Sequence, residues 1–244
     1  MIMYATILIV GFVYLILMIV TRMRGPSWLA TVLKSFTSFF YLMTLGTAVL
    51  AEGIHLQYAL FIGGGLLLGL LGDVWLDLKY LYPEDSDTWT TMGFLVFALG
   101  HFFYLAAVFS VSGIQVWAFV AGIIAALIAI AFVFFGEKPM HLRYGKFKSV
   151  STAYGALLFF MAVYTLGCAA IQRNLGLLIM GIGGVFFLLS DLVLSRIYFG
   201  ESKADKGEEG EPGGRPALVA VNYILYYIGQ YMIASSVLWI GTLF

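Results

Sequence analysis

The 244-residue chain carries 13 Lys or Arg against 13 Asp or Glu, is 62% hydrophobic and 11% charged, and has a mean hydropathy of +0.98. A water-soluble domain of this composition would expose large apolar surface, so the composition excludes one and points to an integral membrane protein. Zero net charge names no partner, no nucleic acid is expected, and the single Cys168 rules out an intrachain disulfide or a CxxC metal or redox site.

A spanning helix needs about 20 mostly apolar residues, and eight windows qualify. The first, 2–21, has no basic stretch before it and Arg22 and Arg24 after it, so it reads as a span rather than a cleaved signal. "RMRGPS" precedes the second, 27–50, which contains Lys34. The third, 57–78, follows "AEGIH" and ends in "LLGDVWLDLKY", with Asp73 and Asp77 one helical turn apart. The turn "KYLYPEDSDT" should hold Glu84, Asp85 and Asp87 in solvent, with Ser86 or Asp87 capping the fourth span, 89–110, which contains His101. After "SVSG" comes the fifth span, 114–135, without an ionisable group, then the basic loop "GEKPMHLRYGKFK". Spans 149–171 and 175–198 flank "QRN", and the latter contains Asp191. "ESKADKGEEGEPGGRP" is too polar to bury a core and is expected to be mobile. The eighth span, 216–243, carries Asn222, Tyr226, Tyr227 and Gln230. The expected fold is an all-α integral membrane protein of eight transmembrane helices, forming one domain over 1–244.

Loops one, three, five and seven, with their flanks, hold Arg22, Arg24, Lys79, Lys138, Arg143, Lys146, Lys148, Arg196, Lys203, Lys206 and Arg215. Of the basic residues only Arg173, on the opposite side, and Lys34, within a span, fall elsewhere. The positive-inside rule then puts the odd-numbered loops in the cytoplasm and both termini on the other side. The chain also echoes itself: "TLGTA" at 44–48 recurs as "TLGCA" at 165–169, "LLGDVWL" at 70–76 as "LLSDLVL" at 188–194, and "LGHFFYLA" at 99–106 as "IGQYMIAS" at 228–235. Two four-span halves, 1–112 and 113–244, in the same membrane sense would give a parallel pseudo-repeat.

Ionisable residues inside spans are costly and usually face a bundle interior or a wet cavity. At 1.5 Å per residue, Asp73, Asp191, Lys34 and Asn222 all fall about 10 Å from the odd-loop end, while His101, Tyr226 and Gln230 reach roughly 15–21 Å. Gly65, Gly69, Asp73 and Asp77 share one helical stripe, as do Gly183, Phe187, Asp191 and Ser195, so the carboxylates point inward with the small residues. Structural alternatives stand beside each role. Asp73 or Asp191 could only neutralise Lys34, Lys34 could reach the interface by snorkelling, and Asp77 lies near enough to that interface to be hydrated. His101 could be a hydrogen-bonded packing residue, and Tyr226, Tyr227 and Gln230 could be interhelical glue. His55 and His141 fall in loops on opposite sides, so no histidine zinc site, and no metal or organic cofactor, is expected.

The ordered set "GDVWLDL", "GFLVFALGHFFY", "FFLLSDLVL" and "YYIGQYMIA" resembles the YhhN-like membrane proteins, which include the animal lysoplasmalogenases. The resemblance runs from span two to span eight. It implies an eight-helix hydrolase acting on the vinyl ether bond of lysoplasmalogens, and it marks Asp73, His101, Asp191, Tyr226, Tyr227 and Gln230. The family often has Lys-Pro in span two, whereas here Lys34 precedes Ser35. With lysoplasmalogen as substrate, Asp73 and Asp191 would share a proton as general acid and base, with His101 orienting or relaying protons. Lys34, Asp77, Asn222, Tyr226, Tyr227 and Gln230 would bind substrate. The rival readings are a proton-coupled transporter and a non-catalytic lipid-binding protein.

Overall fold

The computed structural model describes residues 2–50, 53–200 and 216–244. Among the described residues, eight helices are long and apolar enough to cross a membrane. They are α1 (Ile2–Arg22), α2 (Trp28–Val49), α3 (Leu56–Leu81), α4 (Ser86–Ser112), α5 (Val116–Gly136), α6 (Lys148–Gln172), α7 (Leu175–Phe199) and α8 (Pro216–Ser235). The described residues form no strands, only isolated bridges between Leu142 and Gly200 and between Asn174 and Leu243. The Glu- and Gly-rich loop expected to be mobile lies, but for Pro216, outside the described residues.

Helix starts follow local chemistry. Ser27 accepts from the Ala30 amide at 3.2 Å, His55 Nδ1 from the Tyr58 amide at 3.2 Å, and Asn174 from the Leu177 amide at 3.0 Å. Each relieves an amide that the first helical turn cannot satisfy. The expected cap of α4 is different. A single 3₁₀ turn, Pro83–Asp85, feeds straight into the helix, which begins at Ser86 with Asp85 in the cap position and no side-chain cap bond. The eighth span also ends earlier than expected. α8 stops at Ser235, a 3₁₀ turn runs to Trp239, and Gly241 at φ +88 turns the chain back. The Leu175 amide then donates to the Thr242 carbonyl at 2.7 Å, which ties the tail to the start of α7.

Packing is densest between α3 and α4, α7 and α8, α5 and α6, and α1 and α2, the pairs that follow one another in sequence. Glycines permit the closest approaches. A Cβ on Gly183 would lie 2.9 Å from the Gly229 carbonyl oxygen, and one on Gly229 would lie 2.7 Å from that of Gly183. α7 and α8 therefore touch backbone to backbone. α8 also contacts α1, α2 and α3, and α4 contacts α6. The outward faces of α1 and α5 stay apolar, with Ile16, Leu127 and Ile128 among their exposed residues. That is the surface a bilayer would cover.

Candidate active site

α2 presents Thr31, Lys34, Ser38 and Tyr41 from one buried face toward the aspartates of α3. Lys34 Nζ lies 3.3 Å from Asp73 Oδ1 and 3.1 Å from Asp77 Oδ1, and it also donates to the Asp73 carbonyl at 3.2 Å. Asp77 is only 1% exposed, ion-paired with Arg22 and bonded by the Thr31 hydroxyl at 3.0 Å. This corrects the expectation of a hydrated interfacial carboxylate. Arg22, the last residue of α1, folds inward and supplies the second cation, so two cations offset two carboxylates in an apolar interior. α2 runs unbroken past Lys34, and Ser35 returns its hydroxyl to the Thr31 carbonyl at 2.9 Å.

Asp73 has further partners. Its Oδ2 accepts from Ser38 at 2.7 Å and from Tyr226 at 2.8 Å. Behind Tyr226 the bonds continue in a line: Gln230 Nε2 donates to the Tyr226 oxygen at 3.0 Å, and Tyr104 donates to Gln230 Oε1 at 2.8 Å. Ser38 gives its proton to Asp73, and the Tyr227 hydroxyl lies 2.9 Å from the Ser38 oxygen and 3.2 Å from the Lys34 carbonyl, the two acceptors within reach of its one proton. Asp73 is thus held by a cation and two hydroxyls.

Asp191 is in a different position. It is half-buried, accepts from the Tyr154 hydroxyl at 2.6 Å, and pairs with no cation among the described residues. It lies where two cavities adjoin. The first, about 50 Å³, is lined by Lys34, Asp73, Asn222 and Tyr226 as well as Asp191. The second, about 60 Å³, is more apolar and runs between α5, α6 and α7 past Phe132, Val133 and Leu158. Phe94, Tyr154, Asp191, Leu194 and Tyr198 line both. A buried water needs roughly 10–15 Å³ of such space, so the polar cavity has room for a few waters.

Of the residues singled out from sequence, Lys34, Asp73, Asp191, Asn222 and Tyr226 meet at this first cavity. Asn222 donates to the Ser190 carbonyl at 2.7 Å. Asp77, Tyr227 and Gln230 stand behind it and brace its walls. His101 is also set back. Its Nδ1 donates to the Phe97 carbonyl at 2.7 Å, and its ring meets Phe187, Tyr154 and Tyr104 edge-on. Its buried Nε2 has no hydrogen-bond partner among the described residues. Among the described residues, no group of three or more His, Cys, Asp or Glu side chains could hold a metal ion.

The model of the YhhN family matches residues 29–237, from α2 to the end of α8. The chain belongs to the YhhN family. No curated protein and no solved structure matched it. The YhhN match contains both aspartates and every cavity-lining residue named above, while Arg22 lies just outside it. Sequence reasoning counted Arg22 only toward topology and passed over Thr31, Ser38 and Tyr154. The first two could have been found, because they fall on the same helical face as Lys34. Tyr154 offered no such signal, being one of 15 tyrosines in the chain.

Proposed function

We propose that this YhhN family member is an intramembrane hydrolase that cleaves the vinyl ether bond of a lysoplasmalogen, releasing a fatty aldehyde and a glycerophospho-base. One observation carries the reading. Two aspartates with unlike partners share one cavity, and the one without a cation sits where polar and apolar spaces adjoin. Asp73, held by Lys34, Ser38 and Tyr226, stays ionised. Asp191, with a phenol and no cation, carries the proton. The vinyl ether sits at Asp191 where the two spaces adjoin, with the alkenyl chain directed into the apolar one and the glycerol toward the polar one, and both must widen to admit it.

Asp191 gives its proton to the β-carbon of the vinyl ether, leaving an oxocarbenium ion whose charge Asp73 stabilises. A cavity water then attacks the oxocarbenium carbon while Asp191, now a carboxylate, takes the water's proton. The hemiacetal collapses to aldehyde and alcohol, and one water is consumed in all. This is the two-carboxylate logic of glycoside cleavage applied to an enol ether. Tyr226 and Asn222 position oxygens, and His101 acts by packing on Tyr154, which aims Asp191. Family membership supports a hydrolase.

Two arrangements of the same chain belong to this reading. The odd-numbered loops face the cytoplasm, so substrate enters from that leaflet. The bundle is a parallel pseudo-repeat, supported by the α2–α8 contact and its counterpart between α6 and α4. The test is aldehyde release from a lysoplasmalogen by the purified protein, read by mass spectrometry, alongside Asp73→Asn and Asp191→Asn. Wild type should release aldehyde and both variants should lose at least about a hundredfold in turnover, the usual size of an acid–base contribution. Near-wild-type turnover in both variants would sink the scheme.

A further inference from the structure

Lys34 and Arg22 are already matched by Asp73 and Asp77, so neither has charge to spare for a ligand. Lys79 has. It follows Asp77 by two residues on α3 and is half-buried, and no carboxylate among the described residues pairs with it. Its amine instead covers the ring of Tyr198 and lies 4.9 Å from the centre of Tyr80. Both tyrosines line the polar cavity that holds Asp73 and Asp191. An amine held over aromatic rings and lacking a counter-ion in an apolar bundle keeps its proton best when an anion lies beside it, which makes it a ready site for one.

The spacing suits a glycerophosphate. Six residues separate Asp73 from Lys79 on α3, an axial rise of about 9 Å. The five bonds from an sn-1 ether oxygen to an sn-3 phosphorus, at about 1.5 Å each with tetrahedral angles, span roughly 6 Å, and a hydrogen bond covers the rest. The same rings count against a cage for a quaternary amine. Tyr80 is flanked by Arg22 at 5.1 Å and by Lys79, Tyr198 by Lys79, and Tyr223 by Lys34 at 5.4 Å.

We infer that Lys79, held over Tyr80 and Tyr198, two tyrosines that line the two-aspartate cavity, binds the phosphate of a lysolipid headgroup, and that the site reads the phosphate rather than the base attached to it. This rests on reading the cavity as a lysolipid site, though not on cleavage. The test therefore uses a saturated 1-alkyl lysophospholipid, which cannot be hydrolysed as an enol ether, and measures binding to the full-length protein in detergent by calorimetry. Wild type should bind the choline and ethanolamine forms alike. Lys79→Met should weaken both about tenfold, the size of one charge-assisted hydrogen bond. It should leave binding of 1-alkylglycerol, which lacks phosphate, unchanged, and Lys79→Arg should restore most of the loss.

An equal loss for 1-alkylglycerol, or no loss for either ligand, would overturn the inference. So would a strong preference for choline, or inorganic phosphate binding as tightly as the lysolipid. A Lys79→Met effect on the saturated lysolipid in a protein that releases no aldehyde from a lysoplasmalogen would sink the hydrolase reading alone.

Discussion

Asp77 and Asp191 differ in how completely each is satisfied, and that difference predicts opposite outcomes for the same substitution. Asp77 joins Arg22, Thr31 and Lys34, all buried. Asp77→Asn leaves two cations sharing one carboxylate in an apolar interior, and breaking a buried pair from one side costs about 3–5 kcal/mol. The melting temperature in detergent should fall sharply, and replacing Arg22 and Asp77 together by Met and Leu should recover much of the loss. Asp191 has a single tyrosine hydroxyl and cavity space beside it. Asp191→Asn should therefore melt within a few degrees of wild type while losing aldehyde release. A melting point that drops as far as that of Asp77→Asn would make Asp191 a structural residue. From sequence alone Asp77 could be read as a hydrated carboxylate near the interface, because depth was counted along one helix at a time. Asp77 is near a helix end, but Arg22 of α1 and Lys34 of α2 converge on it from other helices.

At the level of helices, positions near the site depend on glycines that hold no functional group. Gly183 and Gly229 bring the α7 and α8 backbones together one to two turns from Asp191 and Tyr226. A Cβ at either position meets backbone within 3.0 Å, so the helices must part. Gly229→Ala should cost about 1–3 kcal/mol, as overpacking does, and should lower turnover more than it raises KM. Gly155 is the contrasting case. It lines the apolar cavity, and a Cβ built there meets nothing within 4 Å. Gly155→Leu should fold normally and fill the space assigned to the alkenyl chain. Long-chain substrates should then lose kcat/KM relative to short-chain ones, as a comparison of two chain lengths would show. If both lengths are affected equally, the chain lies elsewhere. The sequence separates these glycines only partly. The stripe through Gly183, Phe187 and Asp191 is visible as a 3.6-residue period, whereas the cavity beside Gly155 exists only once α5, α6 and α7 are packed together.

On the scale of the whole molecule, the eight spans could be read directly because the bilayer forces long apolar windows, and the polar depth count gathered Lys34, Asp73, Asp191 and Asn222 at one level with Tyr226 a turn or so deeper, all five of which line one cavity. What stayed hidden were partners contributed across helices and the end of α8, where local backbone geometry at Gly241 overrides an apolar sequence. Sidedness rests on charge alone, and under the proposed function it decides which leaflet would supply the substrate. Lys146, in the basic loop before α6, and Arg173, in the short turn after it, are both exposed and lie at opposite ends of that helix. With Cys168 buried, Lys146→Cys and Arg173→Cys can be compared in intact cells with a membrane-impermeant maleimide. Arg173→Cys should label at once and Lys146→Cys only after permeabilisation, because the excess of Lys and Arg stays on the cytoplasmic side. The reverse pattern would move the two-aspartate cavity to the outer leaflet. Vinyl ether cleavage would remain possible there, but the lysolipid would have to come from the opposite face of the membrane, and Lys79 would be waiting for a headgroup on that side.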